Sequence, residues 1–362
     1  MIILWLPLLQ MTLSLFPEKP GTENRTLSEK PVLKRFSLGA VLSYPKEYEM
    51  YFNDHFGFRN YLVRLNSLSH VRLAATSPTE RVVIGEDKWL FYDDPKDGVN
   101  LKDYAGEANF TADELAQIKD KIIKLNERLR ANKIHFIVAI IPNKHTIYPE
   151  KLPLSVARKG GKITRIGQVS ECLIATGVDL VDLRQKLLSN KSLHSYPLYY
   201  RTDTHWNNLG AFLGYEEIMT HVKAFYPIVA PMKLSDFVVR LGNNRDIADL
   251  AGFINIQGSI TDPEIILEPK MAKEARPIPV AYESMAGCDT VGAMTNDKGL
   301  PKLVMFRDSF ADGLIPYLSE NFSRSVYVWK PKMDFRVIEQ EKPDVVIFEV
   351  VERYLGALLS IQ

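Results

Sequence analysis

The run His135-Phe-Ile-Val-Ala-Ile-Ile-Pro142 meets no polar residue between its first position and its proline. A strand with one wet face alternates apolar and polar side chains. An unbroken apolar run is the pattern of a strand covered on both faces. A helix feeds into it. Thr111-Ala-Asp-Glu114 reads as a capping box, in which a hydroxyl and a carboxylate each take a free backbone N–H at a helix start. Leu115, Ile118, Ile122, Leu125 and Leu129 follow at steps of three and four, one apolar stripe turned to a core. The alternation repeats. A helix is expected over about Ile163 to Ala175, closed by Gly177, then a strand from Val178 to Leu183 and a helix from about Leu209 to Ala224. Late strands are expected at Leu303–Phe306, Ser325–Trp329 and Val345–Phe348. Strands alternating with helices of this length imply an α/β fold, a mainly parallel sheet with helices on both faces.

Before this unit, Tyr61, Leu62, Val63, Leu65, Leu68 and Val71 form one apolar helical stripe. Val82–Gly85 and Trp89–Tyr92 read as two short strands about a turn at Glu86–Lys88. Asp54 and Arg59 are expected to pair and to hold the N-terminal helices. Between Tyr226 and Leu300 the alternation breaks into short β-like pieces, read as a β-rich insertion or lid over 226–300.

Lys and Arg total 45 against 44 Asp and Glu. That balance argues against a nucleic-acid binder, which shows a basic excess. Two cysteines, Cys172 and Cys288, exclude a disulfide scaffold and a Cys-rich zinc site. They form one bridge or stay as small buried hydrophobes, and the second reading is favoured. Ile2 to Phe16 is uncharged and apolar-biased. It is short for a bilayer-spanning helix, and it fits a signal-peptide core or a signal anchor over 1–16. The basic flank usual for such a segment is missing from the sequence, and no A-x-A cleavage site precedes Pro17, so retention as an anchor is favoured. A polar linker over 17–32 and one domain over 33–362 follow.

Two strings carry the chemistry. In Tyr199-Tyr-Arg-Thr-Asp-Thr-His-Trp206, Asp203 and His205 stand two apart just before a helix. In an extended or turn segment, residues i and i+2 share a side. A carboxylate there can hold an imidazole in the tautomer whose other nitrogen acts as a base. In Phe306-Arg-Asp-Ser-Phe310, Ser309 stands where a buried strand gives way to a helix. Such corners sit at the carboxyl edge of a sheet, where open α/β folds bind ligands. Ser309, His205 and Asp203 then offer a nucleophile, a base and an orienter. A metal ligand role for His205 is the lesser alternative, because the other histidines show no ligand spacing with carboxylates.

These strings, in this order, resemble the SGNH-hydrolase-like domain of the alginate O-acetyltransferase family of AlgX/AlgJ type and the related exported DHHW-type proteins. Supporting strings are ENR at Glu23, YFNDHFGFRN at Tyr51, VVIGEDKWLFY at Val82, IPNKHTIYPEKLP at Ile141 and KPDVVIFEVVERYL at Lys342. The resemblance implies an SGNH-hydrolase-like α/β/α sandwich in which Asp203, His205 and Ser309 form a catalytic triad, in an order that looks circularly permuted. It implies O-acetylation of an exported polysaccharide through an acetyl-serine. Carbohydrate acetylesterase action, or a non-catalytic polysaccharide-binding subunit, are the alternatives. It also implies a periplasmic place, anchorage in the inner membrane, and a multi-span membrane O-acyltransferase as acetyl source. No cofactor and no metal are implied. Asn143 is a candidate oxyanion donor, with turn capping as its alternative. Lys144 and Arg307 are candidates for binding an acidic sugar; Arg307 stands where many SGNH-like members carry glycine. Tyr200, Trp206 and Phe310 are candidates for a sugar-stacking wall, with packing beneath the pair favoured for Trp206.

Overall fold

The computed structural model describes residues 2–15, 26–32, 37–74, 76–95, 100–157, 163–174, 176–245, 248–285 and 288–361. The string at 23–25, most of the expected linker and residue 175 at the end of one expected helix lie outside the described residues.

β1 (Val82–Ile84) and β2 (Leu90–Tyr92) pair as an antiparallel hairpin across Glu86–Lys88. β3 (His135–Ile141) follows the helix Ala112–Ala131, whose Thr111–Glu114 capping box is formed in both directions. β4 (Asp179–Asp182) follows the helix Arg165–Ile174, and Gly177 takes the left-handed conformation at the turn between them. The helix Asn208–Phe225 leads to β5 (Phe237–Asn244), the short helix Asp249–Phe253 and β6 (Pro263–Pro269). β7 (Arg276–Ile278), β8 (Val291–Met294), β9 (Lys302–Arg307), β10 (Arg324–Trp329) and β11 (Val345–Val351) complete the strands.

Seven strands make the central sheet in the order β4-β3-β11-β9-β10-β8-β7. The first five run parallel, and β8 and β7 add an antiparallel edge. The pleat of β3 shows why its sequence is apolar throughout. Ile137, Ala139 and Ile141 enter the core beneath the helix Asn208–Phe225, and Phe136, Val138 and Ile140 enter the core beneath Ala112–Ala131. The fold is the α/β architecture expected from the alternation.

Within the β-rich stretch 226–300, β5 and β6 form their own two-stranded sheet, while β7 and β8 join the central one. Their short runs and prolines give no helical partner to signal a core strand. On the helix Arg59–Ser69, Tyr61, Leu62, Val63 and Leu65 are exposed, while Leu68 and, in the turn that follows, Val71 pack against a core cluster. Arg64 tethers that helix by bonds to the carbonyl of Gln257 and the hydroxyl of Ser259. Asp54, on the preceding helix, accepts the N–H of Ser28.

The helix Ile2–Leu13 contains Pro7 and packs on the turn at Gly57, where a Cβ would stand 2.1 Å from the Pro7 carbonyl oxygen. Twelve residues rise about 18 Å, against about 30 Å of bilayer hydrocarbon. Among the described residues no helix is long and apolar enough to cross a membrane. Cys172 and Cys288 are both free thiols, each half-buried.

Candidate active site

β9 ends at Arg307, on the carboxyl edge of the parallel strands, and the chain turns at once into a short 3-10 helix, Ser309–Gly313. Asp308 stitches that corner in place. Its two carboxylate oxygens accept the N–H of Phe310 and of Val351 at the end of β11, and its own N–H donates to Glu349. Ser309 is thereby held between two neighbouring parallel strands.

The second half of the site is the strip Leu198–Asn207. Asn207 caps the helix Asn208–Phe225 by accepting from Leu209 and Gly210. The helix comes close: a Cβ on Gly210 would sit 2.3 Å from the Leu198 carbonyl oxygen. Trp206 lies under the strip and donates its indole N–H to the Phe310 carbonyl, which ties this half to the Ser309 corner.

The three groups meet. His205 Nδ1 stands 2.7 Å from Asp203 Oδ1, and His205 Nε2 stands 2.8 Å from Ser309 Oγ. Asp203 Oδ1 also accepts the His205 backbone N–H, so the two-residue spacing closes a local turn. With the Nδ1 proton given to Asp203, Nε2 is the acceptor for the serine hydroxyl. Burial pushes the Asp203 carboxyl up, but the hydrogen bonds and charge of His205, with the Arg245 charge, outweigh it and hold the group well below the usual carboxylate range. A charged Asp203 and an imidazole base are the pairing that nucleophile activation needs. Asp249 adds a third group: with Asp203 and His205 it could offer a metal ion three donor atoms within 4.8 Å of one another. The donors are already engaged, however, since both Asp249 oxygens accept from Thr204.

A cavity of about 590 Å³ opens beside Ser309, lined among others by Arg307, Trp329, Glu349, Arg353 and Tyr354. Arg353 lies across the Phe310 ring and reaches Asn143 Oδ1 at 3.5 Å. Glu349 is buried, and burial followed by the Asp308 charge pushes its carboxyl well above the usual range. Its Oε1 has no hydrogen-bond partner.

The expected accessory residues divide. Asn143 is buried beside Arg353; its side chain makes no cap, and its N–H donates to Glu352. Lys144 is not placed to meet a sugar: it is buried, and its ammonium donates to the carbonyls of Tyr200, Arg201 and Asp203. Burial lowers it to about 8. It is a clamp on the strip that carries the Asp–His pair. Arg307 is 3% exposed, stacked on Trp329 and bonded to Asp312, and it lines the cavity instead of the outer surface. The expected sugar-stacking wall is not formed. Phe310 is wholly buried beneath the imidazole, their rings 4.8 Å apart, Trp206 is buried, and Tyr200 lies buried under Arg245. Apolar residues beside a polar pair serve here to pack it.

Sequence reasoning missed Glu349, Arg353, Arg245 and Asp249. The first two had a signal: the string Glu349-Val-Val-Glu-Arg353 ends the last buried strand, at the edge where such sheets bind ligands. Asp249 and Arg245 had none, because only tertiary folding brings them to His205.

The SGNH hydrolase-like domain of acetyltransferase AlgX matches residues 82–329 of this chain. A Pseudomonas aeruginosa protein named "Probable alginate O-acetylase AlgJ" is 27% identical over 238 residues, covering 64% of this chain and 55% of its own length. Its namesake from Azotobacter vinelandii is 26% identical over 307 residues, covering 76% and 69%. The chain thus spans little more than half of the first relative. Among solved structures, Bacillus cereus PatB1 carrying a sulfonyl adduct superposes with a TM-score of 0.55 at 18% identity, over 78% of this chain and 97% of that one. A DHHW family protein from Eubacterium siraeum gives 0.51 at 16% identity, over 76% and 95%. At these identities the two structures support the fold.

Proposed function

This chain belongs to the family of the AlgX-type SGNH hydrolase-like acetyltransferase domain, and from that premise we propose that it transfers acetyl groups to hydroxyls of an exported polysaccharide. The observation that carries the reading is the contact of Ser309 Oγ with His205 Nε2, backed by Asp203. Ser309 Oγ attacks the acetyl carbonyl of a donor while its proton passes to Nε2. Nε2 returns that proton to the leaving group as the donor's acyl bond breaks, and acetyl-serine remains. A sugar hydroxyl then gives its proton to Nε2, and its oxygen attacks the acetyl-serine. The Ser309 Oγ bond breaks, and Oγ takes the proton back. Asp203 stabilises the imidazolium in both halves without itself being protonated.

The oxyanion of each half faces the Ser309 corner, where the backbone N–H of Ser309 and the side-chain amide of Asn143 are the donors we assign. Arg353 reaches Asn143 Oδ1, which leaves the amide nitrogen as that side chain's donor. The names of the AlgJ relatives support alginate-like polymers as the acceptor class. The reading further places the protein in the periplasm, with residues 1–16 as its membrane attachment and a multi-span acyltransferase as acetyl source.

The test uses the full chain in detergent with a chromogenic acetyl ester and intact-mass detection. Wild type is expected to show a burst and an acetyl adduct on Ser309. Ser309→Ala is expected to lose the adduct and at least about a thousandfold in rate, as removal of a triad nucleophile does. Equal rates in the two proteins would refute the mechanism.

A further inference from the structure

The imidazole is approached from behind by residues far away in sequence. Asp249, first residue of the short helix between β5 and β6, accepts the Thr204 N–H at 2.7 Å on Oδ1 and the Thr204 hydroxyl at 2.5 Å on Oδ2. That Oδ2 is 3.8 Å from His205 Nδ1. The Asp249 N–H points to Asp203 Oδ2 at 3.4 Å, and the Ala251 N–H donates to the Thr202 carbonyl at 3.1 Å. From the end of β5, Arg245 brings Nη1 to 3.4 Å from Asp203 Oδ2. The Nδ1 edge of His205 is therefore flanked by two carboxylates, not one.

We propose that Asp249 is a positioning residue for His205, a second carboxylate that fixes the Nδ1–H tautomer and stabilises the imidazolium. The β5–β6 segment, which adds nothing to the central sheet, thereby completes the proton-transfer site. The assignment rests on His205 being the base. Asp203 and Asp249 repel each other as like charges, and a proton on His205 relieves that repulsion, so protonation of the ring and ionisation of Asp249 favour one another. Burial, then the Asp203 charge, pushes the Asp249 carboxyl up, and the His205 charge draws it back, as this reciprocity requires. The other charged groups around the ring are accounted for. Lys144 is bound to the Asp203 carbonyl, and Asp262 is held by Arg201 and Thr202. Arg353 lies over the Phe310 ring, 5.0 Å from its centroid.

The experiment is a histidine-labelled NMR titration of the full chain in detergent, with the His205 signals identified by their loss in His205→Gln. Asp249→Asn keeps an acceptor for the Thr204 N–H but removes the charge. It is expected to lower the midpoint of the His205 titration by about one pH unit, and Asp249→Glu to restore at least half of that. Arg245→Gln is expected to move the midpoint the other way, because it removes the cation beside Asp203. A purely structural role for Asp249 would leave the midpoint where it is, and that result overturns the proposal. If Asp249→Asn fails to fold, Asp249→Ser, which keeps a side-chain oxygen at the helix start without the charge, carries the same test, and an unmoved midpoint there is equally fatal. In parallel, each variant is treated with a sulfonyl fluoride and the Ser309 adduct is followed by mass. The high-pH rate is expected to fall about tenfold in Asp249→Asn. A midpoint shift without any wild-type adduct would refute Ser309 as nucleophile and leave the Asp249 assignment standing. An adduct with no midpoint shift would do the reverse.

Discussion

The buried charges around the site and the strand ends that carry it divide into those that act on the site and those that hold it. Glu352 belongs to the second group. It is 1% exposed, and one of its oxygens accepts from the Asn143 N–H and the Thr146 hydroxyl. Burial, then the Asp103 charge, raises it to about 7. An acid whose folded value lies above its unfolded one keeps a proton that the unfolded chain has already released. Stability therefore falls as pH rises from the usual Glu range to about 7, and the deficit is complete above that. Glu352→Gln keeps an acceptor for both bonds without the charge. It is expected to be near neutral at pH 5 and stabilising by roughly 1–3 kcal/mol at pH 8. Urea unfolding at the two pH values measures the difference. An equal effect at both would mean that Glu352 does not change its charge between them in the folded protein.

At the scale of elements, the site depends on how closely the helix Asn208–Phe225 meets the strip before it. Gly210, Gly214 and Gly313 all occupy close contacts there, against the Leu198 carbonyl, the Trp206 ring and Ala211 respectively. The Leu198 contact is backbone to backbone, so a side chain at Gly210 cannot be relieved by a rotamer change. Gly210→Ala is expected to push the strip away from the helix. That costs roughly 1–3 kcal/mol of overpacking, and it separates His205 from Ser309. Misplacement of about 1 Å is enough for a hundredfold loss of turnover. Thermal unfolding and ester hydrolysis measured together check this. Full turnover in a folded Gly210→Ala protein would show that the strip is not set by the helix. The helix itself was legible in the sequence, from its apolar run. The need for glycine was not, because it comes from a segment packed across the helix and not along it.

For the whole molecule, the opposite end of the sheet carries its own polar staple. Asp179, at the start of β4, accepts from His135 Nε2 at 2.8 Å and from His221 Nδ1 at 2.5 Å. It thereby joins two strands to the helix Asn208–Phe225. Burial raises the Asp179 carboxyl, but the two histidine bonds outweigh it and bring it to about 2, while the Asp179 bond raises His221. The carboxylate's share of stability is present above its unfolded value near 4 and is lost as pH falls toward 2. The His221 share is full below about 6.5 and is lost as pH rises through its higher folded value. Asp179→Asn is therefore expected to cost most near pH 5–6, roughly 1–3 kcal/mol, and less at pH 9. A Tm series across pH tests this; a loss that does not vary with pH would refute the charged staple.

The sequence by itself determined the local elements and pointed to the three side chains that meet at the site. The unbroken apolar run of β3 specified a strand covered on both faces, Thr111 and Glu114 specified a helix start, and Asp203 and His205 lie close enough in the chain to meet in one turn. Tertiary structure decided what depends on distant partners. It turned Tyr61, Leu62 and Leu65 outward, while Arg64, Leu68 and Val71 face the body. It buried Lys144 and Phe310 beneath the site, where the sequence pattern suggested a sugar surface. It also brought Asp249 and Arg245 to the Asp–His pair from the β5–β6 segment. Short-range patterning reads the periodicity of one element at a time, and a charge placed by packing between elements leaves no mark on either.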